Sequence, residues 1–453
     1  MRRVSGILTR VFLLVVFFIV LVTTIALARG YRFNFDERTV ISTGILSVNS
    51  APNAAKIFVN DELKGVTNTN VSLPPGNYSV RISKEGFTEW KKDVKLLGEI
   101  VLSFDAVLFP KNPSLSPLTN LGIVKAVPVG QSANILLFSK TGNVEKDGIY
   151  VLDGNSRRIS ITSPLRRIIL ATNLPKELDF STAQVIFSPD YREAIFTFNY
   201  ITPDLPSVSY LFSLESENTD PFDVTASKNS ILVAWDRERQ RQLGKILEAF
   251  PEKIEQIATN SFRIIAFSPD ETKILYQASA EVTIPQIITP ALIGANQTKE
   301  KRTLVKNKLY VYDLKEDKNF EIEADLSKLE PAQSSDAAVL DQTAVEKVAL
   351  QSESVNTETA EEATTTPNIL VDRYNSLEVF DYIQWYPSSR HLVFNEGNTI
   401  SILDYDGSNK QAVYSGPYEK TFFALNSDWK LLVLANLNPQ NNTFGDIYEI
   451  GIR

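Results

Sequence analysis

The sequence predicts an all-β protein carried on an N-terminal transmembrane helix, with a small β-sandwich over residues 44–110 and a β-propeller of about five to six blades over 111–453. Three observations predict this. An uncharged apolar run, VFLLVVFFIVLVTTIALA, fills residues 11–28, close to the ~20 residues that cross a bilayer. Short period-two segments follow from Gly44 to Pro110 without any helical period, the signature of strands. From residue 111 onward a strand–turn–strand plan repeats, in units of roughly 40 to 45 residues, as propeller blades do.

Composition narrows the rest. A chain of 453 residues, 43% hydrophobic and 10% aromatic, is long enough for two or three domains with their own cores. It has no cysteine, which excludes disulfides, thiolate metal sites, a cysteine nucleophile and a lipidated N-terminal cysteine. Net charge is −8, but residues 323–367 hold ten acids against two bases, and the remainder balances at 44 of each. A folded part without basic excess does not read as a nucleic-acid binder.

Arg2, Arg3 and Arg10 precede the apolar run, whereas Arg29 and Arg32 after it are followed by Asp36 and Glu37. The bias places residues 1–10 as a cytoplasmic stub and everything beyond the span outside. Ala26-Leu27-Ala28 also fits a small-residue cleavage site, so a removed signal peptide competes. The run exceeds the ~7–15 apolar residues usual in such peptides, which favours an uncleaved signal-anchor. Residues 29–43 read as a linker.

In the sandwich region Leu46 alternates with Val48, and Ile57 with Val59, before a turn at Asn60-Asp61. LPPGNYSVRISKEGF begins with Pro74, Pro75 and Gly76, which turn the chain before Tyr78, Val80 and Ile82 line one face of a strand,. Trp90, Val94 and Leu96 share a parity in the next strand. The order of Ser50-Ala51-Pro52, the IFVNDELKG hairpin, LPPGNYSVRISKEGF and a closing strand resembles the PEGA domain family over roughly 45–100. Asp61-Glu62 stands where Asp-Gly is usual, and Asn68 where a Thr-Pro pair is common; both departures fall in turns. The resemblance implies a small extracytoplasmic β-sandwich of surface and envelope proteins, with no catalytic residues to carry over.

Four later segments share one plan: VIFSPDYREAIFTF at 185, IIAFSPDETKILYQ at 264, YIQWYPSSRHLVFN at 382 and FFALNSDWKLLVLA at 422. Each is followed by a further strand, at 210, 308, 399 and 446, and an earlier partial unit spans 133–162. The FSPD turns and YVYDL-type strands resemble TolB-type and WD-like propeller repeats over about 130–450. Three insertions interrupt them. Residues 226–258 carry Leu243, Ile246, Leu247 and Phe250 at helical spacing, with Pro251 dividing two short helices,. Residues 281–305 read as a loop. Residues 323–368 hold no aromatic side chain before Pro367 and read as a disordered acidic loop,. LGIVKAVPVG, at 121–130, is expected to complete the last blade and remove its open edge.

Catalytic chemistry finds little purchase. His391 is the sole histidine, so a Ser-His-Asp triad has one place to form and a two-histidine zinc site has none; it reads as a surface or turn residue. The Ser-Pro-Asp triplets at 188–190 and 268–270 read as turn chemistry. Asp404-Tyr405-Asp406-Gly407-Ser408 resembles the start of a calcium loop, but Gly407 stands at the fourth place and Ser415 where the bidentate glutamate belongs,; a hairpin turn is the better reading. Arg237, Arg239 and Arg241, interleaved with Glu238, read as a solvated helix face. No cofactor or metal is expected. The chain is therefore expected to be a membrane-anchored, non-enzymatic binding or envelope-scaffold protein, its propeller face recognising a protein or glycan. The alternative is an exported hydrolase using channel carboxylates on polysaccharide or peptide.

Overall fold

The computed structural model describes residues 2–28, 31–34, 39–130, 132–155, 164–202, 204–323, 382–440 and 443–452. Helix α1 (Arg2–Ala28) opens the chain, and β1 (Tyr31–Asn34) and β2 (Thr39–Ser42) form an antiparallel hairpin behind it. Every side chain from Val11 to Val22 is exposed. Among the described residues no helix is long and apolar enough to cross a membrane. The span predicted over 11–28 is not supported by the described residues, which form an exposed apolar helix there.

The body is mostly β, in several small sheets. Strands β3 (Gly44–Ala51), β4 (Lys56–Val59), β5 (Glu62–Val66), β6 (Thr69–Leu73), β7 (Gly76–Ser83), β8 (Trp90–Leu96) and β9 (Val101–Val107) make two of them. One is ordered β6-β3-β9, the other β5-β4-β7-β8. The alternations read from sequence meet between them: Leu46, Val48, Ile57, Val59, Val80 and Leu96 share one core. Asn60 and Asp61 take φ of 50° and 64°, the two-residue hairpin geometry that glycine usually supplies and that Asn and Asp tolerate. In LPPGNYSVRISKEGF only the second glycine needs its freedom. Gly86 has φ of 81°, whereas Gly76 is not in the left-handed region and Tyr78 Oη donates to the Pro74 carbonyl at 2.8 Å.

Strand β10 (Ser114–Pro117) leads into five four-stranded antiparallel sheets. Sheet 1 is β11 (Ile123–Pro128), β12 (Ile135–Ser139), β13 (Gly148–Leu152) and β14 (Leu165–Leu170). Sheet 2 is β15 (Leu178–Phe187), β16 (Glu193–Tyr200), β17 (Val208–Ser213) and β18 (Phe222–Asp223). Sheet 3 is β19 (Phe262–Phe267), β20 (Lys273–Ala278), β21 (Leu309–Asp313) and β22 (Lys318–Ile322). Sheet 4 is β23 (Ile383–Trp385), β24 (His391–Asn395), β25 (Ile400–Asp404) and β26 (Gln411–Tyr414). Sheet 5 is β27 (Phe423–Leu425), β28 (Leu431–Ala435) and β29 (Asp446–Gly451), with β10 as its fourth strand. That last pairing corrects the expectation for LGIVKAVPVG, which supplies β11 instead. Ser114 faces Gly451 and Leu115 faces Ile450, so a segment too short to show a period closes the sheet through its backbone bonds.

The sheets bury apolar faces against one another. Phe138 and Ile168 of sheet 1 join Phe196 and Phe212 of sheet 2 in one cluster. Leu275 and Val311 of sheet 3 pack with Trp385 and Leu392 of sheet 4. Val393 and Ile402 of sheet 4 pack with Val433 and Ile450 of sheet 5, and Leu432 and Ile447 of sheet 5 with Ile135 and Leu137 of sheet 1. Between sheets 2 and 3 lie α2 (Lys228–Leu247) and α3 (Glu252–Ser261), broken at Pro251 as the sequence predicts, although α2 is longer than a short helix. Leu243, Leu247, Phe250 and Ile254 pack onto sheet 3. Of the expected acidic loop, residues 324–368 lie outside the described residues.

Candidate functional site

The recurring turns come first, because they set both recesses described below. After β15, β19, β23 and β27 the chain reverses through Ser188–Tyr191, Ser268–Glu271, Tyr386–Ser389 and Asn426–Trp429. Tyr191, Glu271, Ser389 and Trp429 stand at the same place in each turn, with φ of 57°, 55°, 60° and 67°. Ser188 Oγ donates to Asp190 at 2.7 Å and Ser268 Oγ to Asp270 at 2.7 Å. The same hydroxyls accept the amides of Glu193 and Lys273. Serine and aspartate in the triplet thus hold the turn, as their recurrence implies. The copy lacking proline closes one residue sooner, Leu425 facing Leu431 where Phe267 faces Ile274.

A polar cleft of about 370 Å³ opens where the sandwich meets sheets 3 and 4. Trp90 Nε1 donates to Asp404 at 3.0 Å, Lys92 Nζ meets Asp406 at 2.7 Å and Arg390 meets Asp105 at 2.6 Å. Gln297, from the 281–305 insertion, exchanges two bonds with the Lys95 backbone. The hairpin reading of Asp404–Ser408 holds in shape, and the turn does more than connect. Asp406 accepts from Lys92, Asn296 and Thr298 on one oxygen and from the Ser408 amide and hydroxyl on the other. Burial alone would raise its carboxyl, but the Lys92 ammonium and these hydroxyls outweigh that and hold it well below the usual carboxylate range,. Burial, with Asp313 beside it, raises Glu316. Among the described residues no group of three or more His, Asp or Glu is placed to hold a metal ion.

His391 departs from the surface reading. It is 3% exposed in β24, with Nε2 3.2 Å from Asp404, Nδ1 3.2 Å from Ser388 Oγ, and Phe109 and Tyr386 edge-on to its ring. The serine beside it belongs to a turn and the carboxylate already accepts Trp90, so the three groups bind sandwich to sheet. Lys92 is the residue that sequence reasoning missed. It interrupts the apolar row Trp90, Val94, Leu96 on the inward face of β8, and a cation in such a row signals a buried partner. Of the three arginines, Arg241 pairs with Glu238 on the exposed face, where the guanidinium's hydrogen bonds hold Glu238 down at about 2. Arg239 instead is half-buried and donates to the Phe187 carbonyl and Asp236, tying α2 to sheet 2.

A second recess, of about 320 Å³, lies where turns of sheets 1, 3, 4 and 5 converge. Gly130, Pro269, Pro387 and Trp385 give it an apolar lining, and Gln384 and Asn426 add amides. Trp385 is 6% exposed, yet its indole Nε1–H has no hydrogen-bond partner. A buried donor left unpaired costs ~1–3 kcal/mol.

Residues 43–112 match the PEGA domain. Among curated proteins none matches the chain. Among solved structures, a TolB protein of Agrobacterium tumefaciens is similar at 11% identity over 90% of this chain and 98% of that one, with a TM-score of 0.16, a value that carries no argument about fold or function.

Proposed function

We propose that this chain is a membrane-anchored, extracytoplasmic binding or envelope-scaffold protein whose propeller recognises a protein or glycan without catalysing a reaction. The PEGA match over 43–112 supports the extracytoplasmic placement. The anchor rests on the uncharged run at 11–28 and on the exposure of α1 all around its axis, a pattern that suits hydrocarbon and not water. The five sheets are the blades. Shared cores link sheets 5, 1 and 2 and sheets 3, 4 and 5, α2 and α3 bridge 2 and 3, and β10 joins the strands at the other end of the body. Such pairing is how a ring of sheets disposes of its edges.

The observation that carries the binding role is the recess ringed by turns of four sheets, with Trp385, Gln384 and Asn426 in its lining, since convergent loops on a rigid scaffold are where recognition collects. Calorimetric titration of the full chain with envelope oligosaccharides and with short peptides tests it. A binder from either set is expected, weakened about tenfold by Trp385→Phe, which trims the indole from the recess wall at a loss of ~1–1.5 kcal/mol. Equal affinity in the variant, or no binder in either set, overturns the role. Placement is tested separately: protease added to intact cells should degrade the body, and survival in cells alongside cleavage in lysates contradicts it. The hydrolase alternative gains no support, because Asp190, Asp270, Asp404 and Asp406 are engaged in holding turns and the sandwich contact.

A further inference from the structure

One corner of the sandwich combines two features that separately mean little. Leu97 and Val101, at the ends of the β8–β9 connection, are 46% and 56% exposed, and Leu292 and Ile293, at the tip of the 281–305 insertion, are 46% and 74% exposed. Lone apolar side chains at a surface need no explanation, whereas neighbouring ones mark a contact. The structure brings these together. A Cβ at Gly294 would lie 3.7 Å from the Val101 carbonyl, and the Gln297 bonds to Lys95 fix the insertion there. The second feature is position. Tyr31 Oη donates to Glu99, in the same connection, and the Glu99 amide donates to the Thr43 carbonyl at 3.0 Å. Tyr31 stands three residues beyond the end of α1 at Ala28, a path of at most ~11 Å. The polar layer of a bilayer is itself only ~5–7 Å deep on each side.

We propose that this corner is a second membrane contact: Leu97, Val101, Leu292 and Ile293 seat the body in the headgroup–acyl boundary of the bilayer that holds α1. The proposal rests on the anchor reading above. Its physical content is a restraint: a single helix end leaves the body free to swing, and apolar side chains inserted beside it fix the tilt and turn the five sheets to a constant height.

The absence of cysteine from the chain makes each introduced thiol unique for spin labelling. The full chain, reconstituted in vesicles of phosphatidylcholine and phosphatidylglycerol, would carry a label at Val16→Cys, Val101→Cys, Ile293→Cys or Phe222→Cys in turn. Phe222 is 66% exposed on sheet 2 and serves as the wet reference. The labels at 101 and 293 are expected to relax with oxygen and lose their response to a water-soluble nickel complex, the label at 222 to keep that response, and the label at 16 to read as deep lipid. If 101 and 293 respond to nickel as 222 does while 16 stays in lipid, the contact is wrong and the anchor stands. If 16 is also wet, both fall. Dipolar broadening at 293 that disappears on dilution with unlabelled protein assigns the patch to a second copy and overturns the lipid contact.

Discussion

Lys92 and Asp406 show how one residue pair can decide the relation of two domains. Their side chains are 13% and 1% exposed, and removing one partner from a buried ion pair costs ~3–5 kcal/mol because the other charge is stranded. Lys92→Met is therefore expected to lower stability by about that amount, and adding Asp406→Leu to recover part of it, measured by chemical denaturation of the full chain; a double variant as unstable as the single would remove the pair from the account. Acid carries the same sign. The Asp406 carboxyl is held below its unfolded value, so it stabilises the fold above ~3.9 and loses that contribution as pH falls further, through the folded value. Melts at successively lower pH should show a steeper decline in the wild type than in Asp406→Asn. At the alkaline side, burial raises Tyr418 to about 12 and Tyr405 further. Their neutral form stabilises the fold below ~10, and that contribution is lost as pH rises through the folded values.

At the scale of an element, the repeated turn is the unit that the sequence writes most plainly. Four non-glycine residues, Tyr191, Glu271, Ser389 and Trp429, sit at the same left-handed position, a conformation that costs ~1–2 kcal/mol for an L-residue. Glu271 is exposed and suits a clean test. Glu271→Gly should leave stability within ~0.5 kcal/mol, relief of strain offsetting the added chain entropy, while Glu271→Val should cost more than ~1 kcal/mol because a β-branched residue fits this region worst. Equal effects from the two variants, read by thermal denaturation, would mean that backbone conformation is not what the position selects. The helical insertion was legible from Leu243, Leu247 and Phe250 for the same reason: a core-facing row leaves a period. Its second contact was not, since Arg239 reaching the Phe187 carbonyl leaves no pattern along the chain.

For the whole molecule, β29 is the strand on which the two ends of the body depend, pairing with β28 on one side and β10 on the other. Ile447, Ile450 and Ile452 are fully buried, each worth ~1.5–3 kcal/mol by area. Deleting residues 446–453 is expected to remove more than ~5 kcal/mol and to expose two strand edges, so that the product aggregates. Calorimetry and sedimentation check this, and a cooperative, monomeric melt near that of the intact chain would refute the role given to β29.

Sequence by itself determined the strands of the sandwich, the PEGA resemblance, the turn of each repeat and the division of the insertion at Pro251, because each is a local rule in which a side chain's type fixes its own backbone or its own face. Only the tertiary structure decided that β10 completes sheet 5, that His391 is buried against Asp404, that Lys92 finds Asp406 and that Trp385 keeps an unpaired donor. The β10–β29 and Lys92–Asp406 contacts join residues hundreds of positions apart, and all four outcomes are set by how whole sheets pack, which no periodicity along the chain records.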